Sequence, residues 1–184
     1  IRDRLIEARV STGDNDILLG TRNGKSIRFS EEQIRPSGRK TMGVKGITLS
    51  SEDDRLVGML LIKREGTTVL VATEKGFGKR TEISQYRAQK RGGKGVLTMK
   101  TTDKVGKMVT IKEVVDKDDL MIITNQGVLI RQPVSQIRAI GRATQGVKLI
   151  KLGEGTLVSS ITRIMSEEDS GDENNSTEPK GNTE

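Results

Sequence analysis

The densest chemistry in the chain is the run Gln89-Lys90-Arg91-Gly92-Gly93-Lys94-Gly95, with three cations and three glycines in seven residues. Glycine reaches backbone angles closed to other residues and lets another group approach the main chain. A turn built this way can aim several N–H groups at one anion, while Lys and Arg add charge and donors. The combination suits phosphate. The competing reading is a solvated basic turn between two strands, because short basic motifs are common. Neither Gly92-Gly93-Lys94-Gly95 nor Gly76-Phe77-Gly78-Lys79-Arg80-Thr81 has the spacing of a nucleotide-binding P-loop.

Other catalytic chemistry is thinly supplied. The 184 residues include no Cys, His or Trp, one Tyr (Tyr86) and two Phe (Phe29 and Phe77). Without Cys there are no disulfides or thiolate metal sites, which fits a reducing compartment. Asp53-Asp54 and Asp118-Asp119 read as solvated turns rather than metal ligands or an acid–base pair. No catalytic residue, metal, cofactor or small-molecule substrate is expected. No apolar run is long enough to span a membrane. Ile1 is not an initiator Met, which fits a processed chain or a fragment.

Charge is unevenly spread. The chain carries 32 Lys+Arg and 25 Asp+Glu, a net of +7. Residues 166–184 hold seven acids and one Lys, so the remaining 165 residues carry 31 bases against 18 acids. A basic body with an acidic tail points to a polyanion, most often nucleic acid. The tail is almost devoid of apolar residues and is expected to be disordered.

The elements that position the basic run come from an internal repeat. Thr21, Thr73 and Thr124 align at offsets of 52 and 51, as do Gly24, Gly76 and Gly127. Gln33, Gln85 and Gln136 follow the same offsets, and so do Gly43, Gly95 and Gly146. Three arginine columns do likewise: Arg28, Arg80 and Arg131; Arg35, Arg87 and Arg138; Arg39, Arg91 and Arg142. Tyr86 aligns with Ile34 and Ile137, so it belongs to an apolar column and is expected in the core rather than as a nucleophile.

Each repeat reads as β-structure, all-β throughout. First strands are expected at 17–21, 69–73 and 120–124, each followed by a glycine turn and a second strand at 25–29, 77–81 and 128–132. A third strand is expected at 44–49, 96–100 and 147–152, and a fourth at 56–62, 108–114 and 157–164. Residues 5–10 resemble one more fourth strand. About 50 residues and four strands per repeat describe a propeller-like blade. The expected organisation is three blades at about 11–62, 63–114 and 115–165, forming an open arc. Residues 1–10 would be left over from a preceding blade, with the disordered tail at 166–184.

The run Tyr86-Arg87-Ala88-Gln89-Lys90-Arg91-Gly92-Gly93-Lys94-Gly95 resembles the signature box of the C-terminal domain of DNA gyrase A. Gly43-Val44-Lys45-Gly46-Ile47-Thr48-Leu49 and Gly141-Arg142-Ala143-Thr144-Gln145-Gly146-Val147 are similar to later blades of that domain. The resemblance covers roughly 5–165 and implies a β-pinwheel that wraps double-stranded DNA on its basic rim, letting gyrase introduce negative supercoils. It implies the rest of gyrase A, together with gyrase B, as partners in the bacterial cytoplasm at the nucleoid. The best match is to the last three blades, with the box as a second copy. The equivalent topoisomerase IV domain has degenerate boxes and fewer blades.

One Arg per blade forms an array along which DNA phosphates can track. The expected DNA-binding set is the box Gln89, Lys90, Arg91, Gly92, Gly93, Lys94 and Gly95, with Arg39, Lys40, Lys45, Arg142, Lys148, Arg28, Arg80 and Arg131. For the arginine columns the alternative is that they cover each blade with their aliphatic stems and pair with acids. Base-specific readout is not expected. The competing function class is a protein-binding propeller scaffold, which the scarcity of aromatic residues disfavours.

Overall fold

In the computed structural model residues 4–63 and 66–165 are described. The strands are β1 (Asp16–Thr21), β2 (Lys25–Ser30), β3 (Leu56–Ile62), β4 (Thr68–Thr73), β5 (Phe77–Glu82) and β6 (Val96–Leu97). They continue with β7 (Met108–Val114), β8 (Asp119–Thr124), β9 (Leu129–Pro133), β10 (Val147–Lys148) and β11 (Val158–Ile164). A single 3₁₀ turn follows each hairpin, at Glu31–Gln33, Ile83–Gln85 and Val134–Gln136. No helix among the described residues is long and apolar enough to cross a membrane.

Local sequence accounts for the three hairpins. β1–β2, β4–β5 and β8–β9 pair antiparallel around Gly24, Gly76 and Gly127, whose φ angles are +83°, +78° and +78°. Only glycine takes such angles cheaply. The three turns are therefore equivalent, as the repeat predicts.

The sheets are antiparallel, in the orders β3-β1-β2-β6, β10-β5-β4-β7 and β11-β8-β9. They are not built repeat by repeat. β6 belongs to the second repeat in sequence yet pairs with β2 of the first, Lys25 opposite Leu97 and Ser26 opposite Val96. β10 belongs to the third repeat and pairs with β5 of the second. The expected third strands thus shrink to two residues and cross to the neighbouring blade. The expected strand at 44–49 is absent; Thr48 instead bonds to the Gly92 and Gly93 carbonyls of the next repeat. Ile47 is nonetheless buried in the first sheet's core. Residues 5–10 also form no strand. Leu5 and Val10 are exposed, although the Glu7 carboxylate accepts the Met59 N–H at 2.9 Å.

The sheets stack face to face. Leu18 of β1 packs with Val69 and Val71 of β4, while Leu70 and Ala72 pack with Leu120 and Ile122 of β8. Tyr86 is 1% exposed and lies in the middle core. β3 lies against β7 and β7 against β11. The third sheet has no exchanged strand among the described residues, and Val128 and Leu129 are exposed along that edge.

In the acidic turns Asp53 is exposed, as expected of a solvated loop, but Asp54 and Asp118 are not. Asp54 is buried and accepts from the Asn23 N–H at 2.9 Å and the Ser50 hydroxyl at 2.7 Å. Asp118 is buried and accepts from the Val115 N–H at 2.9 Å. Both carboxylates tie turns whose N–H groups would otherwise lack partners. The expected tail at 166–184 lies outside the described residues.

Candidate nucleic-acid interface

The basic run is the bend by which the second repeat crosses onto the first sheet. Ala88 bridges Arg28 in parallel, the Gln89 N–H donates to the Arg28 carbonyl at 2.8 Å, and seven residues later, at Val96, β6 pairs antiparallel with β2. Gly95 makes the reversal possible. Its φ is +68°, and a Cβ there would lie 2.4 Å from the Ser26 carbonyl oxygen. Gly146 repeats this with φ +75° and 2.6 Å to the Gly78 oxygen. At Gly43 the same position meets nothing within 4 Å.

The N–H groups of Arg91, Gly92 and Gly93 in the box are spent inside the protein. Arg91 N–H donates to Gln33 Oε1 at 2.7 Å, Gly92 N–H to the Gly46 carbonyl at 2.7 Å and Gly93 N–H to the Lys90 carbonyl at 3.3 Å. Thr48 donates its N–H to the Gly93 carbonyl and its hydroxyl to the Gly92 carbonyl. The glycines serve close packing between neighbouring loops.

Two arginine columns also have structural partners. The Arg91 guanidinium donates to the Gln33 carbonyl at 3.2 Å and the Lys45 carbonyl at 2.7 Å. Arg142 copies this one repeat on: its N–H donates to Gln85 Oε1 at 3.0 Å and its guanidinium to the Leu97 carbonyl. Gln and Arg of successive repeats thus form a latch. Arg39, the first copy, is exposed and meets no such carbonyl among the described residues. In the second column, Arg28 pairs with Asp16 at 2.5 Å and donates to the Ile83 and Tyr86 carbonyls. Arg80 pairs with Asp116 and donates to the Ile137 carbonyl at 2.6 Å. Arg131, the last copy, donates to its acid, Asp119, at 2.7 Å. Arg28 and Arg80 are therefore braces between repeats, and the acid-pairing alternative describes them better than a phosphate array.

Several exposed cations lie on or beside the stacked loops: Arg35, Arg39, Lys40 and Lys45 in the first repeat, Arg87, Lys90 and Lys94 in the second, and Arg138 and Lys148 in the third. Lys148 also stands 5.6 Å from the Phe77 ring centre, where the ring face attracts a cation.

One residue here escaped the sequence reading. Lys79 is fully buried beneath 141–144, the third repeat's counterpart of the box. Its ammonium donates to the carbonyls of Gly141, Arg142 and Thr144 and to the Thr144 hydroxyl. Burial, and secondarily the charge of Arg142, lowers its pKa from 10.5 to about 8. The available signal was its column, in which Ile27 and Ile130 flank it with apolar side chains.

Sheets that trade strands between successive repeats, with a basic glycine bend at each exchange, define a β-propeller of strand-exchanging blades. A family model, DNA gyrase C-terminal domain, beta-propeller, matches residues 15–63, 67–114 and 118–164, and the chain belongs to that family. The DNA gyrase A polypeptide of Staphylococcus epidermidis is 48% identical over 168 residues, covering 91% of this chain and 19% of that protein. Its Staphylococcus aureus counterpart is 46% identical over 182 residues, covering 98% and 20%. The chain thus spans about a fifth of the length of these curated relatives. A solved DNA gyrase A C-terminal domain superposes with a TM-score of 0.76 at 25% identity, covering 83% of this chain and 51% of that one. The C-terminal domain of DNA topoisomerase IV superposes at 0.80, covering 85% and 49%, and at 24% identity that likeness is one of fold.

Proposed function

We propose that the chain is a non-catalytic module that binds duplex DNA without base-specific readout and bends it along the stacked basic loops. In this reading it is the DNA-wrapping part of a gyrase A polypeptide. It works with the rest of gyrase A and with gyrase B as an ATP-dependent type IIA topoisomerase, in the bacterial cytoplasm at the nucleoid. The observation that carries the reading is the recurrence of exposed cations on or beside three successive loops, which backbone bonds such as Gly92 to Gly46 and Lys100 to Thr144 tie to their neighbours. A rigid series of cations neutralises phosphates along a path, and a curved path bends the duplex lying on it. Lys90 and Lys94 contact phosphate in the box, while Arg91 and Arg142 hold the loops that present them.

Bending of a short duplex, followed by end-to-end energy transfer at matched occupancy, tests this. Lys90→Ala with Lys94→Ala is expected to reduce bending more than affinity. Equal bending in both proteins would make the box an ordinary basic turn.

The acidic tail should compete with DNA for the same cations. Deleting residues 166–184, which carry a net charge of −6, is expected to tighten DNA binding, more at low salt than at high salt. Unchanged affinity at low ionic strength would leave the tail without this role.

A further inference from the structure

The third loop has lost two of the box's cations. Gly141 stands where the box has Lys90, and Gln145 stands where it has Lys94. A cation has appeared beneath it instead. Under the box, Ile27 is the floor, its Cδ1 3.5 Å from where a Cβ on Gly93 would be. Under the third loop that position is Lys79, 2.8 Å from the Gly141 carbonyl and 3.0 Å from Thr144 Oγ1. An ammonium has three donors, and here more than three oxygens converge on them.

The carbonyls drawn inward fix the loop's shape. Thr144 closes it with its hydroxyl on the Gly141 carbonyl at 3.0 Å, and Thr81 ties the preceding Ile140 carbonyl at 3.0 Å. Arg142 is the charged side chain that acts on Lys79. From the other elements around it come Val71 of β4, Tyr86, whose phenol burial keeps neutral to higher pH, and Lys148 of β10, which sits on Phe77. Arg80, next on β5, is paired with Asp116.

We propose that Lys79 stands in for the third loop's two lost cations, a positioning residue that holds 141–144 in phosphate-binding form from below and adds its charge to that of Arg142. It does there what Lys90 and Lys94 do from outside in the box. This rests on the DNA-binding reading above. The charge is lost as pH rises through about 8.

The test compares wild type, Lys79→Met and Lys79→Arg for affinity to a short duplex at about pH 7 and about pH 9 and constant salt. Wild type is expected to weaken by about threefold to tenfold at the higher pH, roughly one phosphate contact. Lys79→Met should be weak at both values, and Lys79→Arg should stay tight at both. Identical pH profiles for wild type and Lys79→Met would overturn the proposal. Amide hydrogen exchange of 141–146 without DNA gives a second reading, corrected for intrinsic rates. At about pH 7 it should be faster in Lys79→Met than in wild type, because the loop carbonyls lose the ammonium that orders them, and equal rates would also overturn the proposal. Absence of duplex binding by every variant would sink the DNA reading, with loop exchange still deciding what Lys79 does.

Discussion

Gly95→Ala is expected to lower the melting temperature by about 10 °C, whereas Lys90→Ala with Lys94→Ala leaves it within a degree or two. The glycine sits at φ +68° with the Ser26 carbonyl 2.4 Å from any added Cβ. A left-handed angle costs an ordinary residue of order 1–3 kcal/mol, and the clash with main chain adds to it, for a total of about 3 kcal/mol or more. Arg91→Ala should fall between, at about 1–2 kcal/mol, because it strands the carbonyls of Gln33 and Lys45 at a partly wet site. DNA binding should rank the variants differently. The lysine pair lies exposed, and its loss should reduce the salt slope by about two. Thermal melts and a salt series on the same proteins check both orders. An Arg91→Ala protein that melts like wild type and binds DNA with a slope lower by one would return Arg91 to the phosphate contacts.

Stability should rise with pH between about 8 and 10.5, against the usual loss at alkaline pH. Below about 8, Lys79 is charged in the folded and unfolded chain alike, and the folded chain bears the full cost of burying that charge. Between the two values the folded chain releases the proton while the unfolded chain keeps it. The cost therefore disappears progressively as pH rises, and no further gain follows above 10.5. At about 1.36 kcal/mol per decade, the full displacement corresponds to about 3 kcal/mol. Denaturant midpoints across this window, with Lys79→Met as the flat comparison, test the sign. A wild-type curve parallel to that of Lys79→Met would place the ammonium in solvent. DNA affinity should move the other way over the same range, so the cation that weakens the fold strengthens the interface.

The hairpins were legible because their determinants are local. Apolar strands flanking Gly24, Gly76 and Gly127 specify tight turns wherever the rest of the chain goes. The exchange of β6 and β10 was not legible, since a two-residue strand pairs equally well with its own repeat or the one before. The arginine columns were visible as columns, but spacing does not distinguish a guanidinium on a phosphate from one on the next repeat's carbonyls. Gln33 and Gln85 show the difference only when their side chains are seen on Arg91 and Arg142. Tyr86 shares its column with two isoleucines and, like an apolar residue, lies in the core. Applied to Ile27, Lys79 and Ile130, the same comparison singles out Lys79, because a lysine in an apolar column must bring its own oxygens.

The crossing strands also set a clock for synthesis. The first sheet lacks its outer strand until Val96–Leu97 has been made, 67 residues after Ser30, the end of β2. At roughly 5–20 residues per second, that interval is roughly 3–13 s. Throughout it the β2 edge stands open, a template for any strand nearby. The same delay recurs between β5 and β10. On the ribosome, the basic bend arrives with the strand that seals the blade before it, and each blade is finished by the translation of its successor.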